Sequence, residues 1–173
     1  EAEKAVAAQA AAALVEDGMR VGLGTGSTVA HLLTALAGRG LSVQCVSTSP
    51  RTEAVARELG LEVTTLDVLG HLDIAIYGAD EVSDDGWLIK GGGAAHTREK
   101  IVAAAADRFV VMVDSTKPVP RLTWPVPLEL LEFGLAATLA LLEHAGLRDA
   151  PRTPDGGVLA DWTGPVERPA ELT

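Results

Sequence analysis

Val21-Gly22-Leu23-Gly24-Thr25-Gly26-Ser27-Thr28 joins two different periodicities through a turn made of glycines and hydroxyls. Before it, Arg20 to Gly24 reads as a short apolar strand. After it, Val29 to Leu36 repeats apolar residues at helical spacing, and Gly38 and Gly40 close the helix. The same alternation continues outward. Val43 to Ser47 is a strand, Arg51 to Leu59 an amphipathic helix closed by Gly60, and Leu61 to Leu66 a further strand. Leu72 to Tyr77 is an apolar strand that opens into a long loop, Gly78 to Gly93. Thr97 to Ala106 is a helix, and Phe109 to Val113 a strand too apolar to be exposed. Upstream, Ala2 to Val15 is alanine-rich and helical. Continuous apolar strands that alternate with helices predict an α/β fold, an open, mostly parallel sheet with helices on both faces.

The pattern changes after Leu130. Phe133 to His144 reads as a helix that ends at Gly146. Asp155-Gly156-Gly157 then suggests a hairpin before the apolar Val158-Leu159-Ala160. Residues 1–131 are therefore expected to form the main α/β domain, and residues 132–173 the start of an incomplete small α+β domain.

Composition narrows the function. The chain has 173 residues, 47% hydrophobic and 22% charged, which suits a globular protein with a real core. Only 3% are aromatic, so Ala, Val and Leu must fill that core. A formal charge of −10 repels nucleic acid and anionic lipid, so neither is expected as a partner. A small anionic substrate needs only local positive charge and stays possible. The single cysteine, Cys45, cannot form an internal disulfide, which fits a reducing cytoplasm. No apolar run reaches the ~20 residues of a membrane helix, and the start of the chain is a poor secretory signal. His31, His71, His96 and His144 are scattered, and none has metal-ligand spacing with Cys45 or an acid, so no metal is expected.

In α/β sheets ligands bind beyond the carboxyl ends of the strands, and three loops there carry chemistry. Gly24 to Thr28 can cradle an anion, because glycines let backbone N–H groups approach and the next helix presents its positive end. The same residues also suit an ordinary strand-to-helix turn with an N-cap. The loop is no dinucleotide fingerprint, since Ser27 stands where the third glycine belongs, and it has no Walker lysine. The second loop places Asp80 and Glu81 after a strand, then Lys90 before Gly91-Gly92-Gly93. Paired acids are often solvated, whereas a lysine followed by three glycines surrounds a cation with donors suited to a developing oxyanion. The third, Thr97-Arg98-Glu99-Lys100, reads equally as helix-start charges on a solvated face. Lys117, after Asp114-Ser115-Thr116, can reach a phosphate or lie on the surface. No Gly-x-Ser-x-Gly elbow is present.

Taken together and in order, VGLGTGST (21–28), GADE (78–81), LIKGGGAAHTREKIVA (88–103), DSTK (114–117) and PVPLEL (125–130) resemble the ribose-5-phosphate isomerase type A family. The resemblance implies an aldose–ketose isomerase that interconverts ribose 5-phosphate and ribulose 5-phosphate through an enediolate. It implies no cofactor and a cytoplasmic homodimer. By that similarity Glu99 is the general base and Asp80 handles hydroxyl protons and ring opening, while Lys90 with the N–H groups of Gly91, Gly92 and Gly93 steadies the enediolate. Thr25, Gly26, Ser27 and Thr28 bind substrate, as do Tyr77, Gly78, Ala79 and Lys117. A helix N-terminus should lower the basicity of Glu99, so burial on substrate binding would have to offset it.

Two departures stand out. The family has an acid where this chain has Tyr77, and tyrosine, with a reference pKa of about 10, is a poor base at neutral pH. Family members also continue for several tens of residues beyond the position of Thr173, completing the small domain. Both departures favour an alternative reading, a catalytically impaired sugar-phosphate-binding or sensor relative of the same fold. The presence of Glu99, Lys90 and Asp80 favours the enzyme.

Overall fold

The computed structural model describes residues 1–123 and 125–165. In chain order the elements are α1 (Ala2–Ala12), β1 (Arg20–Leu23), α2 (Ser27–Gly38), β2 (Gln44–Ser47), α3 (Pro50–Glu58), β3 (Glu62–Thr64), α4 (Leu66–Leu69), β4 (Leu72–Gly78), β5 (Glu81–Ser83), β6 (Leu88–Ile89), α5 (His96–Ala104), β7 (Ala106–Met112), β8 (Pro118–Val119), β9 (Val126–Leu130), α6 (Leu135–Leu141), β10 (Ala145–Leu147) and β11 (Val158–Trp162). The chain divides into two units. One holds residues 1–79 and 97–117, the other residues 80–96 and the chain from Pro118 onward. The sequence suggests a single line between 131 and 132. The segment after β4 and the segment from Pro118 lie in the second unit.

The first unit is built on one sheet of order β3-β2-β1-β4-β7, parallel throughout. Successive strand residues face opposite ways, and the apolar runs accordingly feed two cores. Val21, Leu23, Cys45, Val63, Ile74 and Ile76 pack with α1 and α2 on one face. Val46, Ala75 and Tyr77 pack with Val102 of α5 on the other, flanked by Leu66 and Leu69 of α4. The expected helices on both faces are therefore present. Gly22 lets α5 come close, since a Cβ there would stand 2.8 Å from Val102 Cγ1 and 3.0 Å from Ala75 Cβ. Burial pushes the Cys45 thiol up to about 12, with the Glu62 charge adding to the effect, so it is an inert core residue.

Strand order decides where a ligand can enter. The chain steps outward from β1 to β2 and β3, then returns to place β4 on the other side of β1. The switch point lies between β1 and β4; the Gly24–Thr28 turn follows β1, and Gly78 ends β4.

Several sequence expectations change. The strand at Leu61–Leu66 shortens to β3, because Leu66 opens the one-turn helix α4. Phe109 belongs to β7, an edge strand, and is 42% exposed, so the run judged too apolar for the surface is partly on it. An edge strand has a neighbour on one side alone, which hydrophobicity does not reveal.

In the second unit, the expected long loop Gly78 to Gly93 contains a hairpin. β5 pairs antiparallel with β6 and parallel with β8. Gly86, at φ +80°, turns the chain between them, with its N–H on Ser83 O at 2.9 Å. PVPLEL supplies β9, which pairs antiparallel with β11, and β11 pairs with β10. The Asp155-Gly156 signal is a tight turn, with Gly156 at φ +87° and its N–H 2.9 Å from Thr153 O. It leads into β11, and a longer loop joins β10 to β11. Helix α6 is shorter than the expected Phe133–His144 and buries none of its residues. Residues 166–173 of the expected small domain lie outside the described residues. No helix among the described residues is long and apolar enough to cross a membrane.

Candidate active site

In the first unit the cradle is shaped by two glycines with different reasons to be glycine. At Gly24 a Cβ would lie 2.7 Å from Tyr77 Cδ1, so space forbids a side chain. Gly26 has φ +114°, which L side chains rarely adopt, and caps α2. The turn is pinned beside β4 by the Gly24 N–H, which donates to Ile76 O at 3.1 Å. A Cβ on Gly78 would stand 3.9 Å from Thr28 Cβ, so the end of β4 adjoins the first turn of α2. Thr25 and Thr28 are half-buried, while Gly26 and Ser27 are exposed at the mouth of the turn. Gly78 and Ala79 are also half-buried.

Residues that sequence reasoning passed over support this turn. The Ser49 and Thr52 hydroxyls lie 3.1 and 3.4 Å from Thr25 Oγ1, and Ser49 also caps α3 by accepting from the Thr52 N–H at 3.2 Å. Lys4 extends its ammonium from α1 to Ser27 Oγ at 3.1 Å, and also pairs with Glu1 at 2.7 Å. Glu3, on the same helix, accepts from the Ser115 N–H at 2.8 Å and its hydroxyl at 2.6 Å. One helix thus steadies both the cradle and the Asp114–Lys117 loop. Asp114 accepts from the Thr116 hydroxyl and N–H, which hold its carboxyl below the usual range, with Lys117 adding to the effect. The Lys117 ammonium-bearing side chain is half-buried in this loop. A lone lysine in an alanine helix and a Ser-Thr-Ser run carry no local signature, so only the fold reveals them.

Glu99 lies in the first turn of α5 and is 5% exposed. The chain's own residues provide the burial that offsets the helix N-terminus. Behind it, Tyr77 is fully buried and donates from its hydroxyl to the Glu99 carbonyl oxygen at 2.9 Å. Burial pushes the Tyr77 hydroxyl strongly up, and the Glu99 charge adds to this, so it stays a neutral donor. Tyr77, expected to touch substrate, has its side chain buried in the core. The inward alternation of β4 places its side chain in the core.

In the second unit, Asp80 organises the glycine run. Its N–H donates to Ile89 O at 2.8 Å and its carboxylate accepts from the Gly92 N–H at 2.9 Å. A Cβ on Gly92 would meet Asp80 Oδ1 at 2.8 Å, so the contact requires glycine. Gly91 has φ +103°, and a Cβ there would lie 2.7 Å from His96 Cε1. Gly91 is buried, Gly92 and Gly93 are exposed, and Lys90 is half-buried. Asp80, Lys90 and the three glycines are thus brought into one loop system. Glu81, the second acid of the pair, is buried and accepts from the Thr123 N–H at 2.7 Å and hydroxyl at 2.6 Å, an anchoring role. His96 Nε2 is buried with no hydrogen-bond partner among the described residues, and burial lowers the imidazole pKa.

One expectation about histidines also changes. His71 gathers with Asp73 and Asp107, with ligand atoms within 4.8 Å of one another. Asp73 is engaged by Arg20 through the backbone N–H at 2.6 Å and the guanidinium at 3.1 Å, so a positive charge already stands at this group. The spacing was invisible because Asp107 comes from the neighbouring strand.

The family model for ribose 5-phosphate isomerase A (phosphoriboisomerase A) matches residues 44–166. The chain belongs to the ribose 5-phosphate isomerase A family. It is 55% identical over 146 residues to the ribose-5-phosphate isomerase A of Ruegeria pomeroyi, a match that covers 82% of this chain and 56% of that protein. The chain therefore spans about half the length of the curated relatives it matches first. The fold agrees with that of ribose 5-phosphate isomerase A from Methanocaldococcus jannaschii, with TM-score 0.92 and 36% identity over 99% of this chain and 83% of that one. A D-ribose-5-phosphate isomerase solved in complex with phospho-erythronic acid gives TM-score 0.92 and 36% identity, covering 99% of this chain and 82% of that one.

Proposed function

We propose that the chain interconverts ribose 5-phosphate and ribulose 5-phosphate by moving a proton between C2 and C1 through an enediolate. The observation that carries this reading is the buried Glu99 carboxylate in the same unit as the glycine-hydroxyl cradle, in a chain of this family. A base must be positioned and shielded from water to act, and a positioned carboxylate contributes ~10²–10⁴-fold to proton transfer. The Gly24–Thr28 turn and the N-terminus of α2 suit the phosphate, with Lys4 and Lys117 adding positive charge. Asp80 moves hydroxyl protons, and Lys90 with the glycine N–H groups steadies the enediolate oxygen, as fixed donors do for developing negative charge. The Gly92 N–H is held by Asp80, so Asp80 also sets the shape of that loop.

A similar D-ribose-5-phosphate isomerase was solved in complex with phospho-erythronic acid, a phosphorylated aldonic acid, which supports a phosphorylated polyhydroxy ligand. A homodimer and a cytoplasmic location belong to the same proposal, and light scattering of the purified chain tests the first. The function itself is tested by mixing the purified chain with ribose 5-phosphate and following ribulose 5-phosphate. Turnover is the expected result. Sugar-phosphate binding with no turnover would replace the enzyme with a binding protein.

A further inference from the structure

Tyr77 is buried, and it touches two parts of the chemistry at once. Its ring lies beneath the cradle, so close that Gly24 has no room for a Cβ. Its hydroxyl donates to the backbone carbonyl of Glu99 at 2.9 Å. Phe109 of β7 closes the far side of the ring edge-on, with centroids 5.2 Å apart at 89°. The side chain is 0% exposed, so a ligand cannot reach it without disturbing the core.

We propose that Tyr77 is a positioning residue that fixes the separation between the phosphate cradle and the base Glu99. The idea rests on the isomerase reading above. A phosphate held by the turn after β1 places the sugar carbons at a set distance, and proton transfer requires the base within hydrogen-bond reach of one of them. Tyr77 ties both ends of that distance to one rigid ring. Hydroxyl and ring do separate work: the ring spaces the cradle, and the hydroxyl holds the first turn of α5 through a carbonyl.

The test is Tyr77→Phe, which keeps the ring and removes the hydrogen bond. In ribose 5-phosphate turnover, kcat should fall about five- to tenfold, the worth of one buried hydrogen bond, with KM changed less than about twofold. Release of the C2 proton should slow in parallel with kcat. A merely structural role would lower the melting temperature and leave kcat untouched, and that result overturns the proposal. Should Tyr77→Phe fail to fold, Phe109→Leu takes its place, because Phe109 is half-exposed on an edge strand. Loss of the edge-on contact should lower kcat a fewfold at constant KM, and an unchanged kcat again overturns the proposal. A wild-type chain with no turnover would instead remove the isomerase reading, and the role of Tyr77 with it.

Discussion

The two units bury very different things. The first holds nearly all of the fully buried apolar side chains, from Val15 and Val21 to Ile76 and Val102, around one parallel sheet. The second buries few, chiefly Ile89, Leu130, Leu159 and Ala160, and instead encloses polar groups. Glu81 is anchored on Thr123, Arg148 is paired with Asp161, and the His96 Nε2 has no partner among the described residues. Leu131, Phe133 and Leu141 meanwhile stay more than three-quarters exposed. The contrast teaches a division of labour. A close-packed core resists small displacements and can hold a base to fractions of an ångström. A region built on polar groups and positive-φ glycines can shape a loop of N–H donors, at the expense of sensitivity to pH.

The largest effect that would break this contrast is on packing in the first unit. Gly22→Ala should destabilise the chain by about 1–3 kcal/mol, because the new methyl must displace the stiff Val102 side chain or the backbone of β1. Chemical denaturation measures it. A neutral result would mean that the first unit is as pliable as the second. A smaller effect concerns pH and the second unit. Burial lowers the His96 pKa, so the unfolded chain binds a proton before the folded one does. Stability should therefore be full above about pH 6.5, and should decline as pH falls from there towards the lowered folded value. His96→Leu should flatten that part of the stability–pH curve, as read from melting temperatures between pH 5 and 8. An unchanged curve would place the pH dependence elsewhere.

Much of this was legible from the sequence where the physics is local. The glycines of 22–28 and 91–93 announce close approach or positive φ, and Gly24, Gly26, Gly91 and Gly92 each have such a reason in the structure. The parallel sheet followed from apolar runs alternating with helices. What escaped depends on distant partners. The β5–β6 hairpin is too short to show a period. The exposure of Phe109 follows from its place at the sheet edge. Ser49, Thr52 and Lys4 are common residues that matter only because the fold brings them to the cradle. Tyr77 departs visibly from the resemblance, but the direction of its side chain depends on the register of β4 against β1, where Leu23 faces Ile76.

The central claim is that Glu99 carries the proton. Loss of deuterium from C2 of 2-deuterated ribose 5-phosphate, compared between the wild-type chain and Glu99→Gln, measures this directly. Washout should be rapid for the wild type and at least ~10²-fold slower for the variant, with sugar-phosphate affinity nearly unchanged. Washout by Glu99→Gln at the wild-type rate would contradict the account and place the base on another residue.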